Sequence, residues 1–180
     1  MPTLVVVRHA KAESPVGLQD IARPLADRGK ADAREAGRWL REHVGRCDLL
    51  LSSPARRTEE TTARLLDGWC VAPVIVDEER LYEASLGDLL RIVRGLDTET
   101  ADATVVLVAH NPGVSALVEA LTGEVTQLRT AGIAVLDVSG AWADADTTSC
   151  TLRVQHTARA EVADADGRES GGGRESGGGH

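Results

Sequence analysis

Three stretches of this chain end in side chains suited to gripping an anion. Arg8 and His9 follow directly on the apolar run Leu4-Val5-Val6-Val7. Ser53-Pro54 follows the run from Cys47 to Leu51 and leads to Arg57, which lies one helical turn past Pro54. His110 follows Thr-Val-Val-Leu-Val-Ala, residues 104 to 109. Taken alone, Arg8-His9 also fits a solvated charged pair at a strand end, and His110 fits a core histidine hydrogen-bonded there. Three such ends in one chain change the weighing. Arg presents a planar, permanently charged fork that matches phosphate oxygens. A helix N-terminus adds free N–H groups and a positive dipole. Two arginines, two histidines and a helix start at one sheet edge make a site for a dianion, of which a phosphoryl group is the natural case.

Binding phosphate does not require catalysis, so the state of His9 matters. Beside Arg8 and a second cation its protonated form is disfavoured, leaving an imidazole nitrogen free to attack. A non-catalytic phosphate or phosphohistidine module would keep Arg8 and Arg57 and dispense with such a nucleophile. The presence of His9 argues against it.

These groups need a scaffold. Leu4 to Val7 is a short, β-branched, continuously apolar run, the pattern of a strand buried on both faces in a parallel sheet. In open α/β sheets ligands bind beyond the carboxyl ends of such strands, where Arg8 and His9 stand. A polar loop, roughly Ala12 to Pro24, follows. Asp27 is positioned to cap a helix whose apolar stripe is Ala33, Ala36, Gly37, Leu40 and Val44. Cys47 to Leu51 reads as a second strand. A serine of Ser52-Ser53 can cap the next helix, about Pro54 to Leu66, with Pro54 in its first turn. Pro73 to Asp77 is a third short strand, and Leu86, Leu89, Leu90, Val93 and Leu96 mark a helix. Thr104 to Ala109 is the second strongly buried strand, and Asn111-Pro112-Gly113 opens a helix through Leu121. Ile133 to Val138 and Cys150 to Gln155 read as a hairpin. The expected fold is a three-layer α/β/α sandwich with a mostly parallel central sheet and an antiparallel edge hairpin. From about Ala158 the apolar pattern stops, and Arg-Glu-Ser-Gly-Gly-Gly occurs twice before His180. The division expected is a domain over 1–157 and a low-complexity, disordered tail over 158–180.

Composition excludes several roles. A net charge of −8 leaves no basic footprint for a nucleic-acid backbone. Cys47, Cys70 and Cys150 are odd in number and widely spaced, without a C-x-x-C pair, which suggests a reducing compartment and neither a disulfide framework nor a zinc site. No His, Cys or carboxylate spacing suggests a metal, and no cofactor is expected. The first apolar run is too short for a signal peptide, and no run is long enough to span a membrane. The expected location is cytoplasmic.

Arg8-His9-Ala10, Ser53-Pro54-Ala55-Arg56-Arg57-Thr58-Glu59-Glu60-Thr61 and Ala109-His110-Asn111-Pro112 resemble, in this order, the motifs of the histidine phosphatase superfamily, which includes the phosphoglycerate mutases. The resemblance spans roughly residues 3 to 155. The short middle section and Arg23-Pro24-Leu25…Arg28-Gly29 are most similar to its compact SixA-type phosphohistidine phosphatases. The resemblance implies that His9 is a nucleophile that becomes transiently phosphorylated. It implies that Arg8, Arg57 and His110 hold the phosphoryl oxygens and stabilise charge during transfer, and that no metal is needed. Leu81-Tyr82-Glu83 with Gly87 resembles the stretch whose Glu protonates the leaving group in the mutases. Glu83 reads equally as a surface carboxylate ahead of a helix. Three positions depart from the family pattern: Ala10 stands where Gly is commonest, Glu60 where Gln is usual, and Pro15 where larger members often place Asn.

Only about two dozen residues separate Asp77 from Thr104, room for one helix and little lid. The site should therefore admit a bulky phosphoprotein, and the expected substrate is a phosphohistidine-bearing protein. The alternative is a small phosphate monoester at the same site. Mutase chemistry, which must retain and re-orient an intermediate, favours a closed pocket.

Overall fold

The computed structural model describes residues 1–97 and 102–161. Its framework is one sheet whose strands are β1 (Thr3–Arg8), β2 (Leu49–Ser52), β3 (Val74–Asp77), β4 (Thr104–Ala109), β5 (Gly132–Val138) and β6 (Cys150–Thr157). Their order is β3-β2-β4-β1-β5-β6. The four on one side run parallel, while β5 is antiparallel to both β1 and β6. The sandwich with a mostly parallel sheet and an antiparallel hairpin is the architecture found.

The continuous apolar run of β1 is explained by its central place. Val5 and Val7 point into one core and Leu4 and Val6 into the other, all four fully buried. The first core is closed by α1 (Asp27–His43) and α2 (Arg56–Trp69), through Ala33, Ala36, Leu40, Leu65 and Trp69. The second is closed by α3 (Leu86–Arg94) and α4 (Gly113–Thr122), through Leu89, Val93, Val114 and Leu117. Helices α1 and α2 touch backbone to backbone. A Cβ on Gly37 would collide with the Leu65 carbonyl, and one on Gly68 with that of Arg34. β3 is the open edge, with Val74, Ile75 and Val76 all exposed.

Two helix starts differ from expectation. Asp27 does not cap α1. Ala26, its N–H held by the Lys11 carbonyl, takes the cap position, and as an alanine it offers no side-chain acceptor. Asp27 sits in the first turn, where its charge still favours the helix dipole and it accepts a hydrogen bond from Lys30. Likewise α2 begins at Arg56 with Ala55 as its cap residue, and no serine side chain caps it. Ser53 remains tied to the sheet through its N–H to the Val108 carbonyl, and its hydroxyl is bound elsewhere.

Packing continues slightly past Thr157. Ala158 is fully buried, and the Ala160 N–H donates to Asp32. The low-complexity repeat lies outside the described residues. No helix among the described residues is long and apolar enough to cross a membrane.

Candidate active site

β1, β2 and β4 are adjacent and parallel, so their carboxyl ends share one edge of the sheet. That register brings Arg8, Ser53 and His110 together from positions 45 and more residues apart. The imidazole rings of His9 and His110 lie with centroids 5.2 Å apart. Arg8, His9, Lys11, Arg23, Arg57 and His110 line one cavity of about 300 Å³. The structure thus gathers the four residues expected to grip the anion.

His9 has a defined tautomer. Its Nδ1 is 2.8 Å from the Ala10 carbonyl oxygen. A carbonyl can only accept, so Nδ1 carries the hydrogen, and in the neutral ring the lone pair sits on Nε2. Burial, with the charges of Arg57, Arg8 and Arg23, lowers the His9 pKa to about 4, although the Ala10 bond pulls the other way. The ring is neutral near pH 7, with Nε2 available as a nucleophile. Desolvation contributes more than the neighbouring cations.

The loop after β1 is anchored to α2. The Ala10 N–H donates to Thr61 Oγ1 (3.0 Å), and that hydroxyl donates to the Arg57 carbonyl (2.6 Å). Gly29 lies so close to the Lys11 carbonyl that a Cβ there would collide with it. Glu60 accepts from the Leu25 N–H (2.7 Å) and from Arg56 (2.8 Å). A carboxylate suits that place because both partners are donors.

Arg8 is held from the far side. Its Nη1 donates to the Leu128 carbonyl (3.0 Å), which also accepts from Asn111 Nδ2 (2.8 Å). Ser115 completes this brace, donating to Asn111 Oδ1 (2.7 Å) and accepting from the Leu128 N–H. His110 Nε2 is hydrogen-bonded to Ser53 Oγ at 2.8 Å. Burial first, then Arg57 and His9, lower the His110 pKa to about 3, so it too is neutral in the free site. The Asn111-Pro112 peptide that turns the chain from β4 into α4 is cis.

Two residues that sequence reasoning missed complete the site. Asp20, in a one-turn 3-10 helix (Asp20–Ala22), receives both terminal nitrogens of Arg57. Its carboxylate also accepts from Arg23 (3.0 Å) and from the Tyr82 hydroxyl (2.9 Å). Partial burial alone would raise its pKa, but these three hydrogen bonds bring it down to about 2. Tyr82 stands edge-on to His110, with ring centroids 5.8 Å apart. Partial burial, the Asp20 bond and charge, and the Glu83 charge raise the pKa of its hydroxyl. The available signals were the Asp20-x-x-Arg23 spacing and the presence of a single tyrosine in the chain.

Glu83 follows Tyr82 and is exposed. Its φ of 54° is in the left-handed region, unusual for a side chain with a Cβ and of the kind that clusters at functional sites. It lines a second cavity of about 500 Å³ with Asp20, Arg57, Tyr82 and His110. The site therefore receives Glu83, but at its rim. Among the described residues no cluster of three His, Cys, Asp or Glu side chains could hold a metal ion.

Comparison with known proteins places this architecture. Residues 4–92 match the model of the histidine phosphatase superfamily (branch 1), a span that includes Arg8, His9, Arg57 and Glu83. An uncharacterized protein of Mycobacterium leprae is 36% identical over 167 residues, 85% of this chain and all of that one. The solved structure of a putative phosphohistidine phosphatase SixA from Nakamurella multipartitia is 28% identical, with a TM-score of 0.77 over 87% of this chain and 96% of that one. One from Agrobacterium tumefaciens, also described as a putative phosphohistidine phosphatase SixA, is 28% identical with a TM-score of 0.72, covering 86% of this chain and 97% of that one. The chain belongs to the histidine phosphatase superfamily. It is an enzyme of the class that removes phosphoryl groups with a histidine nucleophile.

Proposed function

We propose that His9 is that nucleophile and that the enzyme removes the phosphoryl group from phosphohistidine in proteins. The observation that carries the first half is the neutral His9 ring, its Nδ1–H spent on the Ala10 carbonyl and its Nε2 free, in a cavity otherwise lined by cations. In the first step the Nε2 lone pair forms a bond to phosphorus, and the bond from phosphorus to the leaving group breaks, its electrons going to the leaving atom. Arg8 and Arg57 hold the equatorial oxygens, where preorganised charge lowers the barrier most. His110 holds another. It is neutral in the free site, and an arriving dianion favours its protonation. In the second step water attacks phosphorus, the N–P bond breaks back to His9, and inorganic phosphate leaves.

Glu83 lines the adjoining cavity at its rim and is the carboxyl that, in this reading, gives a proton to an oxygen leaving group and takes one from the attacking water. An N–P bond is labile and needs that proton less, so Glu83 matters more for esters than for phosphohistidine.

The substrate rests on a different observation. Between β3 and β4 the described chain adds only one short 3-10 turn and α3 (Leu86–Arg94), and the segment 13–21 flanking the site is exposed. So little chain added beside the site suits a bulky phosphoprotein. The two solved SixA relatives support this choice. A small phosphate monoester remains the second reading, favoured by the 500 Å³ cavity beside Arg57, which has room for a sugar-sized leaving group. The test is turnover of a phosphohistidine protein, sugar phosphates and an aryl phosphate by the wild type and by His9→Ala. The proposal predicts highest kcat/KM on the phosphoprotein and loss on all substrates in His9→Ala. Efficient turnover of sugar phosphates with the phosphoprotein untouched would establish the second reading instead.

A further inference from the structure

The two cavities at the sheet edge meet at Arg57, His110 and Asn111, and they are opposite in charge. The one holding His9 is lined by Arg8, Lys11, Arg23 and Arg57 and has no carboxylate. The other has Asp20 and Glu83, and its one cation, Arg57, has both terminal nitrogens committed to Asp20. Glu83 makes no ion pair among the described residues. If the phosphoryl group lies against His9, the leaving group extends into the second cavity.

We propose that this acidic cavity selects the leaving group by charge, taking neutral or cationic groups such as an imidazole and rejecting those that carry an anion of their own. The inference rests on the reading that His9 receives the phosphoryl group. The physical basis is separation of charge along the substrate. The phosphoryl dianion is met by Arg8 and by the other cations lining the His9 cavity, Lys11 and Arg23, with Arg57 shared between it and Asp20. The field on the leaving group in the second cavity therefore comes chiefly from Glu83. Asp20 shares its charge with Arg57 and Arg23, whereas Glu83 does not, which makes Glu83 the residue that sets the preference. A phosphoimidazole protonated on its other ring nitrogen is attracted by both carboxylates as it binds, and the electrons of the breaking P–N bond leave it a neutral imidazole that they do not repel. A carboxylate-bearing phosphate meets like charge at the same point.

Three aryl phosphates of nearly equal shape isolate this effect: para-carboxyphenyl, para-carbamoylphenyl and para-amidinophenyl phosphate, with anionic, neutral and cationic leaving groups. Comparing each kcat/KM between wild type and Glu83→Gln cancels the intrinsic reactivity of the three phenols. These acidic phenols leave with little need of a proton, so Glu83 acts beside them as a carboxylate, and any loss of proton donation in Glu83→Gln would lower all three together. Loss of charge selection would lower the ratio of amidine to carboxylate, by on the order of three- to tenfold for an exposed, screened charge. Glu83→Lys is expected to lower the ratio further. In the wild type, added salt is expected to compress it, a measurement independent of whether the variants fold. A ratio unchanged by Glu83→Gln, Glu83→Lys and salt would overturn the proposal while leaving the phosphatase reading intact. Turnover of the three esters and of a phosphohistidine protein undiminished in His9→Ala would overturn the reading beneath it.

Discussion

Arg57 gives Nη1 to the Asp20 carbonyl at 2.7 Å and Nη2 to the Asp20 carboxylate at 3.0 Å. One residue thus uses its backbone to aim the guanidinium and its side chain to neutralise it. The two contributions separate in Asp20→Asn, which keeps the backbone acceptor and removes the charge. With the internal anion gone, inorganic phosphate should inhibit more tightly, with Ki falling roughly threefold or more. Product-inhibition kinetics check this. Weaker inhibition would mean that Asp20 serves chiefly to hold Arg57 in place.

The bond between Ser53 and His110 fixes which nitrogen of the His110 ring faces β2. Ser53→Ala should lower kcat about tenfold, near the worth of one well-placed hydrogen bond, with little change in KM. Steady-state kinetics with a stability control test it. An unchanged kcat would remove Ser53 from the site.

The depressed pKa values of both histidines have a consequence for stability. In the unfolded chain His9 takes up a proton near pH 6.5, whereas in the native site it does so near 4. Between those values the unfolded state holds more protons, so stability rises with pH through that window and is lost as pH falls toward 4. His110 acts in the same direction, with a native pKa of about 3. Urea unfolding of wild type and His9→Gln at pH 7 and near 4.5 isolates the effect. The wild type should lose more stability than the variant by on the order of 2 kcal/mol. Equal losses would mean that His9 is readily protonated in the native site.

Contact between α1 and α2 depends on two glycines whose missing side chains let the backbones meet. Gly37→Ala places a methyl group against the Leu65 carbonyl, a rigid obstacle. A loss of more than about 2 kcal/mol is expected from such overpacking. Activity per folded molecule should persist, since the crossing is remote from His9. Urea unfolding alongside kinetics checks both halves.

Much of this was legible in the sequence for a definite reason. The runs ending at Arg8 and at His110 are continuous and β-branched, and only a strand buried on both faces requires that. Once they are parallel neighbours, their ends must meet. Asp20 and Tyr82 were not legible, because their partners are supplied by tertiary structure. Asp20 bonds residues 37 and 62 positions away, from a loop with no periodicity. The start of α2 was misplaced for a related reason: Ser53 has the composition of a cap, but its hydroxyl is drawn away to His110. Local propensity gives way wherever the site claims a side chain.

The central claim is that the phosphoryl group passes through His9. Rapid mixing with a phosphohistidine protein, quenching within the first turnover and mapping the phosphoryl group by mass spectrometry test it most directly. The structure predicts a transient adduct on the peptide containing His9, labile to acid and absent in His9→Ala. An adduct on another residue, or undiminished turnover by His9→Ala, would contradict it.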